Sequence, residues 1–511
     1  MDKPLSQLVA HDMLAAVDLG SNSFHLQIGR VVDDQIYLLD SLRESVRLGA
    51  GLTRDGRIDR ATQLRALEAM GRFGERLRGF SHGAVRAVGT NALRVAKNAD
   101  QFLVEARRAL GFPIEVVFGR EEARLIYLGV AHSVPPSPDR RLVIDVGGGS
   151  TECVIGTGLT PELMESISMG CVSWSLRFFP DGRLDKAAFK AAELAAANEM
   201  QRIVKAYRRT GWTLALGSSG TIKSLASILE AGDLNNGIPG QVITVAGLER
   251  LRALLIKAGN IDRVRLPGLR EDRLTILPGG MTIVSAAMHE LGVERLQVSD
   301  GALRQGVLYD LLGRVTHHDM REATVREFMR RYHVDMAQAE RVERLATQVH
   351  ADLIGEPEEE KTLLLQFAAR LHEIGITIAH AGYHKHSAYI LAQADMPGFS
   401  RDEQARLSRL ALSHRGKLSK LEGLPARSSE WARIFSLRLA ALLSLSRNDI
   451  TLPRFACKTT EAGYQIALSR AWLAEHPLTE AALEAEAAEW RVLGIRFEIR
   501  GLSEERLKGA G

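Results

Sequence analysis

Cysteine is scarce in this sequence, and so are excess charge and long apolar runs. The three cysteines among 511 residues, Cys153, Cys171 and Cys457, lie far apart and form no CxxC pair, which argues against a disulfide framework or a zinc ribbon and fits a reducing compartment. The 66 basic and 62 acidic residues leave a net charge of +4, so any basic surface must be local, and a nucleic-acid-binding coat is disfavoured. No apolar run approaches the roughly 18 residues of a membrane span.

The start of the chain, MDKPLSQLVAHDM, lacks the basic-then-apolar pattern of a signal peptide. We therefore expect a cytoplasmic protein with no transmembrane segment and no nucleic-acid partner, either free or peripheral to the inner membrane. The 45% hydrophobic and 25% charged residues are typical of a globular protein, and the length predicts roughly two to four domains.

A turn rich in small residues occurs twice. VDLGSNSFHLQIG (17–29) aligns without a gap over IDVGGGSTECVIG (144–156), so that Asp18 matches Asp145 and Ile28-Gly29 matches Ile155-Gly156. Each copy reads as strand, turn, strand, and further strands alternating with helices follow both. A repeat of such a long period predicts duplicated α/β domains rather than a solenoid; the alternative is a chance likeness of two glycine turns.

The two turns predict a phosphate site. If they face each other across a cleft, their backbone N–H groups can bind phosphate oxygens, and the hydroxyls add donors. The residues concerned are Ser21, Asn22, Ser23, Gly148, Gly149, Ser150 and Thr151. Asp18 and Asp145, at the ends of the preceding strands, are placed to hold Mg²⁺ directly or through water, and Glu152 could join them. The alternative for each acid is a solvated turn carboxylate or a cap.

The segment GREEARLIYLGV (119–130) begins a predicted helix with two adjacent glutamates. Acidic residues there favour the helix dipole, which is the structural explanation. The functional one is that Glu121 or Glu122 points into the cleft as a general base for an attacking water. The two side chains project about 100° apart, so we expect only one to do chemistry; periodicity does not say which.

Two further segments follow predicted strands. GSSGTIKSL opens a helix, where Ser219 and Gly220 would seat an anion, although Gly-Ser turns before helices are common. GTNALRVA (89–96) adds Asn91 and Arg94. Arg94 could contact phosphate, and a surface arginine is the alternative.

Together these segments resemble the exopolyphosphatase and guanosine pentaphosphate phosphohydrolase family, within the superfamily of acetate kinase, sugar kinases, Hsp70 and actin. The matching stretches run in family order over about the first 310 residues: AAVDLGSNSFHL, VGTNALR, GREEARLIYLGVAH, LVIDVGGGSTECVIG, SMGCVSW, GSSGTIK and SDGALRQGVLYD. LHEIG and HKHSAYIL extend the resemblance into the C-terminal half. The segments VSDGALRQGVLY and HKHSAYIL and the glycine triplet 147–149 look closer to long bacterial exopolyphosphatases than to the pentaphosphate-preferring branch.

The resemblance implies roles for individual residues. Glu122 matches the catalytic base of the family, and Asp145 and Glu152 match residues near the metal and the activated water. Segments 20–23 and 147–151 match the two phosphate loops, which adds Gly20 and Gly147 to the predicted site. Stimulation by K⁺ and a homodimer are implied as well.

After about Gly313 the pattern is mostly helical, and ARLHEIGITIAHAGYHKHSAYIL resembles an HD-type phosphohydrolase domain, whose metal ligands are His and Asp. Here the central pair is His372-Glu373; because a working site needs a complete ligand set, we favour a structural helical domain over a second metal site. The remaining histidines of interest are His350, His380, His384, His386 and His414. A basic track for an anionic polymer is the interpretation we prefer, with these members: His384, Lys385, His386, His414, Arg415 and Lys417.

The predicted fold class is thus α/β. Duplicated actin/Hsp70/acetate-kinase-like (RNase H-like) domains are expected at 1–135 and 136–313, followed by an α-helical HD-like domain at 314–450 and a small C-terminal domain at 451–511.

The predicted function is a Mg²⁺-dependent exopolyphosphatase, which hydrolyses the terminal phosphoanhydride of linear polyphosphate with Glu122 as the base. A guanosine pentaphosphate 5′-phosphohydrolase would use the same chemistry on another substrate. An ATP-dependent kinase and an ATP-binding module of the same superfamily are more distant alternatives. The glutamate pair, in its resembling context, favours the hydrolases.

Overall fold

The computed structural model describes residues 13–32, 35–238, 240–315, 319–355, 359–421, 423–425, 428–448 and 452–503. Its contacts divide the chain into two compact units, Met1–Met320 and Arg321–Gly511. No helix in the described ranges is both long and apolar enough to cross a membrane.

The N-terminal unit begins with a five-stranded sheet of order β3-β2-β1-β4-β5. β1 and β4 are buried almost throughout, so they read as continuous apolar runs rather than alternating ones. The elements of this first half are β1 (Met13–Leu19), β2 (Phe24–Val32), β3 (Gln35–Glu44), α1 (Arg60–Arg76), β4 (Val85–Gly89), α2 (Asn91–Val95), α3 (Ala99–Leu110), β5 (Ile114–Val116) and α4 (Gly119–His132).

The second half of this unit forms a six-stranded sheet of order β8-β7-β6-β9-β11-β10. Its longest helix, α6, starts where the Asp185 side chain caps the Ala188 N–H, as aspartate commonly does at a helix N-terminus. The elements are β6 (Arg140–Val146), β7 (Thr151–Thr157), β8 (Thr160–Ile167), α5 (Cys171–Phe178), α6 (Lys186–Thr210), β9 (Leu214–Ser218), α7 (Ser219–Ala231), β10 (Val242–Thr244), α8 (Val245–Ala258), α9 (Leu277–Leu291), β11 (Arg295–Val298) and α10 (Leu303–Val315).

The predicted duplication is confirmed by the register of the strands. Asp18 pairs with His25 across β1 and β2, and Asp145 pairs with Glu152 across β6 and β7. The pairing of β2 with β3 shifts its register between Ile28 and Gly29. The pairing of β7 with β8 shifts its register at the matching place, between Ile155 and Gly156. The first sheet order recurs in the second, which adds only the antiparallel edge strand β10. Shared register and shared irregularity leave chance likeness without support.

The two halves meet where α4 crosses α10. A Cβ on Gly129 would overlap the carbonyl of Ala302, and a Cβ on Gly306 would overlap the carbonyl of Leu125. Glycine at both positions therefore lets the two backbones touch. This crossing holds the first turn of α4 beside the ends of β1 and β6.

The C-terminal unit is helical and ends in a three-stranded sheet, β12-β13-β14. Phe435, Tyr464, Trp490 and Phe497 pack against one another in one hydrophobic core that the helices and the sheet share. The elements are α11 (Met320–Arg331), α12 (Met336–Ile354), α13 (Glu359–Leu371), α14 (Tyr383–Gln393), α15 (Arg401–Ser413), α16 (Glu430–Leu443), β12 (Ala456–Thr460), β13 (Gly463–Ser469), α17 (Arg470–Glu475), α18 (Pro477–Val492) and β14 (Arg496–Leu502).

Candidate active site

A cleft of about 540 Å³ lies between the two halves of the N-terminal unit. Both glycine-rich turns line it, together with the first turns of α2, α4 and α7. The predicted site residues that line the cleft are Asp18, Gly20, Ser21, Asn22, Ser23, Asn91, Glu122, Asp145, Gly147, Gly148, Gly149, Ser150, Ser219 and Gly220. Residues far apart in the sequence are thus brought together as expected.

The two turns touch each other. A Cβ on Gly148 would lie 3.0 Å from the Cβ of Ser21, and a Cβ on Gly149 would overlap the Asn91 side chain, so a larger residue at either position would require its neighbour to shift. Within the described residues, the N–H groups of Ser21, Asn22, Gly148 and Gly149 have no hydrogen-bond acceptor. Three of the four carbonyls, in contrast, are hydrogen-bonded: that of Ser21 accepts from Gly49 N–H at 2.6 Å, that of Asn22 from Arg47 N–H at 2.8 Å and that of Gly148 from Val172 N–H at 2.9 Å. A loop whose carbonyls already accept hydrogen bonds and whose N–H groups have no acceptor is suited to bind an anion.

The structure separates the roles of the adjacent glutamates. Glu122 lines the cleft, and its Oε2 accepts a 3.1 Å hydrogen bond from the Arg94 guanidinium, which also donates to the Val117 carbonyl at 2.9 Å. Burial raises the pKa of Glu122, and Arg94 offsets part of that rise. Glu121 instead lies outside the cleft and makes a two-pronged ion pair with Arg124, at 2.8 Å for each bond.

A cluster of buried carboxyl groups faces this glutamate. Burial, with the charge of Glu122 nearby, raises the pKa of Asp18 and of Asp145 to about 7. The pKa of Glu152 is raised well above its usual value, first by burial and then by Glu122 and Asp145. Asp18 Oδ1 and Glu152 Oε2 are buried and have no hydrogen-bond partner among the residues that the structure describes. Unsatisfied oxygens among like charges are costly unless a cation joins them.

The arrangement fits a hard divalent cation that keeps much of its water. Among the described residues, no three His, Cys, Asp or Glu side chains converge as a ready metal site. Mg²⁺ commonly binds through one or two carboxylates, water and substrate phosphate rather than a complete protein cage. Asp18 and Asp145, which line the cleft, could supply such carboxylates.

Three of the predicted residues lie behind the lining of the cleft. Arg94 contacts Glu122 as described, the Thr151 hydroxyl donates to the Met169 carbonyl at 2.7 Å, and Glu152 is fully buried with its Oε1 accepting from the Ser166 hydroxyl at 2.7 Å. These three side chains therefore lie behind the residues that line the cleft and support them.

Sequence reasoning missed the basic side chains that line the cleft and a histidine among them: His25, Arg43, Lys223, Arg270, Arg273 and Arg304. Arg304 donates to His25 Nδ1 at 2.7 Å. Because a guanidinium cannot accept, this nitrogen carries a lone pair and the imidazole is neutral; burial, with Arg304 and the other arginines, lowers the pKa of His25 to about 3.

A signal for His25 was present in the repeat. It occupies the position that Glu152 holds in the second half, so one half contributes an imidazole where the other contributes an acid. Lys223 and Arg304 stand within the quoted motifs. For Arg43, on β3, and for Arg270 and Arg273, at the 3₁₀ turn Glu271–Ile276, no motif was available.

Two histidines of the C-terminal unit, His372 and His414, make structural hydrogen bonds, whereas both ring nitrogens of His350 and Nδ1 of His384 are buried with no partner among the described residues. Nδ1–H of His372 donates to the Ala369 carbonyl and Nδ1–H of His414 to the Ala411 carbonyl, both at 2.6 Å, while His414 Nε2 lies 3.2 Å from the Tyr383 hydroxyl. His414 is only 3% exposed, so including it in a solvent-facing basic track was wrong. Lys385, Arg415 and Lys417 are exposed, and His384 and His386 are half-buried.

Two like α/β halves with a ligand cleft between them form the architecture of actin-like proteins, and the N-terminal unit is of that class.

Comparison with known proteins narrows the class to a family. The model of the Ppx/GppA phosphatase family matches residues 27–315, and the model of domain III of the Ppx/GppA phosphatases matches residues 320–487. The chain belongs to the Ppx/GppA phosphatase family.

Two of the solved structures that are similar to this chain cover somewhat more than half of it. An exopolyphosphatase from Cytophaga hutchinsonii is 24% identical with a TM-score of 0.52, over 60% of this chain and 98% of its own. The PPX-GPPA enzyme of Aquifex aeolicus is 27% identical with a TM-score of 0.48, over 58% of this chain and 98% of its own.

Proposed function

We propose that this phosphatase hydrolyses the terminal phosphoanhydride of linear inorganic polyphosphate and releases orthophosphate. The observation that carries the proposal is the position of Glu122: it lines the cleft beside two loops in which the N–H groups of Ser21, Asn22, Gly148 and Gly149 have no acceptor within the described part of the chain.

The loops would hold the terminal phosphoryl group. Unpaired N–H groups of Ser21, Asn22, Gly148 and Gly149 are preorganised donors, so they stabilise charge that develops on the phosphoryl oxygens without reorganising during the reaction. In a loose phosphoryl-transfer transition state, most catalysis comes from such positioning and charge stabilisation.

Glu122 would take the proton of the attacking water. A general base works best when its pKa lies near the operating pH, and burial moves the pKa of Glu122 upward from its ordinary value. The hydrogen bond from Arg94 keeps Oε2 occupied, which fixes the carboxylate and leaves the other oxygen to accept the proton.

Asp18 and Asp145 would hold Mg²⁺. When bound, the ion would neutralise charge on the phosphate oxygens and complement the unsatisfied carboxylate oxygens of the cluster.

An inorganic chain is favoured over a guanosine nucleotide by the character of the lining. Among the described residues that line the cleft, none is Phe, Tyr or Trp, so no phenyl, phenol or indole ring is available to stack on a guanine base. The lining instead supplies several arginines and a lysine, which pair with phosphates all along a polymer.

The test is phosphate release with Mg²⁺ from long polyphosphate and, in parallel, from guanosine pentaphosphate. Wild type should act chiefly on polyphosphate, and Glu122→Gln should lose on the order of 10² or more of the rate. Glu68→Gln, on the exposed face of α1, is the matched control and should behave as wild type. Preference for the pentaphosphate would overturn the substrate, and an active Glu122→Gln would overturn the base.

A further inference from the structure

An ionic bridge joins the two halves of the N-terminal unit at one wall of the cleft. Arg43, on β3 of the first half, contacts Asp272, on the 3₁₀ turn Glu271–Ile276 of the second half, with 2.7 Å between Nη2 and Oδ2. The Arg270 guanidinium donates two hydrogen bonds to the same carboxylate, from Nε to Oδ1 at 3.1 Å and from Nη2 to Oδ2 at 3.2 Å. Both arginines line the cleft. The Asp272 carboxylate therefore forms ion pairs with two arginines that line the cleft.

These arginines stand where a phosphate chain would pass. Arg43 also donates to the hydroxyl of Ser23 at 3.4 Å, which places it next to the first glycine-rich turn. Arg273 lines the same wall, and a Cβ on Gly220 would overlap its guanidinium. Arg273 therefore lies against the loop that opens α7.

Asp272 is charged at neutral pH. Burial alone would raise the pKa of this carboxyl group, but Arg43 above all, with Arg270 and Arg273, holds it below its ordinary value. Its side chain is 29% exposed and that of Arg43 is 26% exposed. Ion pairs this close to solvent contribute little net free energy, so a more highly charged anion can replace the carboxylate.

We infer that Asp272 is a specificity-determining residue, whose carboxylate stands in for a substrate phosphate on Arg43 and Arg270 in the free protein. Carboxylate and phosphate oxygens make the same paired hydrogen bonds with a guanidinium. A chain long enough to reach both arginines displaces Asp272, whereas a short one leaves the bridge intact. The residue thereby lowers the affinity for long chains. The inference rests on the proposed function, since it takes an oligophosphate as the ligand.

The experiment measures binding without turnover, by titration calorimetry with Mg²⁺ in a Glu122→Gln background. Pyrophosphate, tripolyphosphate and long polyphosphate are titrated into this protein and into two derivatives that also carry Asp272→Asn or Glu271→Gln. Glu271 is the neighbouring exposed acid and undergoes the same loss of charge. Asp272→Asn should tighten binding of long polyphosphate about threefold to tenfold. Pyrophosphate should bind within about twofold of the parent, and Glu271→Gln should change neither ligand by more than that.

Phosphate release by wild type, measured in parallel, separates the two ideas. If wild type hydrolyses polyphosphate but Asp272→Asn leaves binding unchanged or weakens it, the inference is overturned and Asp272 serves to orient the arginines. If Asp272→Asn tightens polyphosphate binding while wild type releases no phosphate, the proposed function is overturned and the inference stands. If none of the proteins binds any of the three ligands, both are overturned. Circular dichroism of each variant checks that it has folded.

Discussion

Replacing Glu121 with glutamine should destabilise the N-terminal unit without abolishing its hydrolytic activity. Glu121 lies in a buried network: it pairs with Arg124 on two oxygens and lies 3.8 Å from Arg86, and both arginines also contact Asp310. The side chains of these four residues are between 1% and 5% exposed. The variant removes one of the negative charges that compensate Arg86 and Arg124 away from water, while Asp310 and, for Arg86, Glu115 remain as partners.

The size of the effect follows from this burial. Breaking a buried ion pair from one side costs about 3–5 kcal/mol, and the lower end applies here because Asp310 still partners both arginines. A unit of about 320 residues has an unfolding entropy near 0.7 kcal/mol/K, so a loss of about 3 kcal/mol lowers its melting temperature by about 4–5 °C.

Differential scanning calorimetry of Glu121→Gln and Glu122→Gln, with phosphate release assayed well below both transitions, forms the test. The two neighbouring variants should differ in opposite ways: Glu121→Gln melts early and remains active, whereas Glu122→Gln is inactive and melts no earlier than wild type. The reasoning is refuted if Glu121→Gln melts with wild type, or if it is folded and inactive.

Three further predictions concern the same unit. Burial raises the pKa of Asp18 and Asp145 to about 7, so the folded metal-free protein holds extra protons and loses stability as the pH rises from about 4 to 7; Mg²⁺ should therefore raise the melting temperature more at about pH 8 than at about pH 5. Gly306→Ala should cost about 1–3 kcal/mol in denaturant titrations because the new Cβ overlaps α4, whereas Gly71→Ala, in open space on α1, should stabilise by about 0.5–1 kcal/mol. His25→Leu should raise KM about tenfold by releasing Arg304, while His25→Asn, which keeps an acceptor, stays within about threefold; equal KM values for the two variants would contradict this.

Much of the fold was readable because its signals are local. Each of the duplicated strand-turn-strand segments lies within a short stretch of chain. The glycines in their turns indicate a backbone that a ligand approaches closely. Segments 17–29 and 144–156 therefore predicted both the repeat and the pairing of two loops across a cleft, and the structure has both. Asp18 and Asp145 were found for the same reason, since each ends the strand before its loop.

The local sequence did not predict which of two adjacent side chains faces the cleft, because tertiary packing decides it. Glu121 and Glu122 are neighbours at the start of one helix, and only the position of α4 between α10 and the cleft turns one toward Arg124 and the other toward Arg94. The resemblance to a family supplied Glu122; the periodicity of the helix did not.

By itself, then, the sequence determined the two halves, their loops and the acids beside them, because a strand followed by a turn rich in small residues is built from consecutive residues. Only the tertiary structure decided which charges meet. Arg43 and Asp272 belong to different halves and to elements with no common motif, yet Nη2 of Arg43 lies 2.7 Å from Oδ2 of Asp272. Contacts of this kind depend on how whole sheets and helices pack, and no local pattern of residues encodes that arrangement.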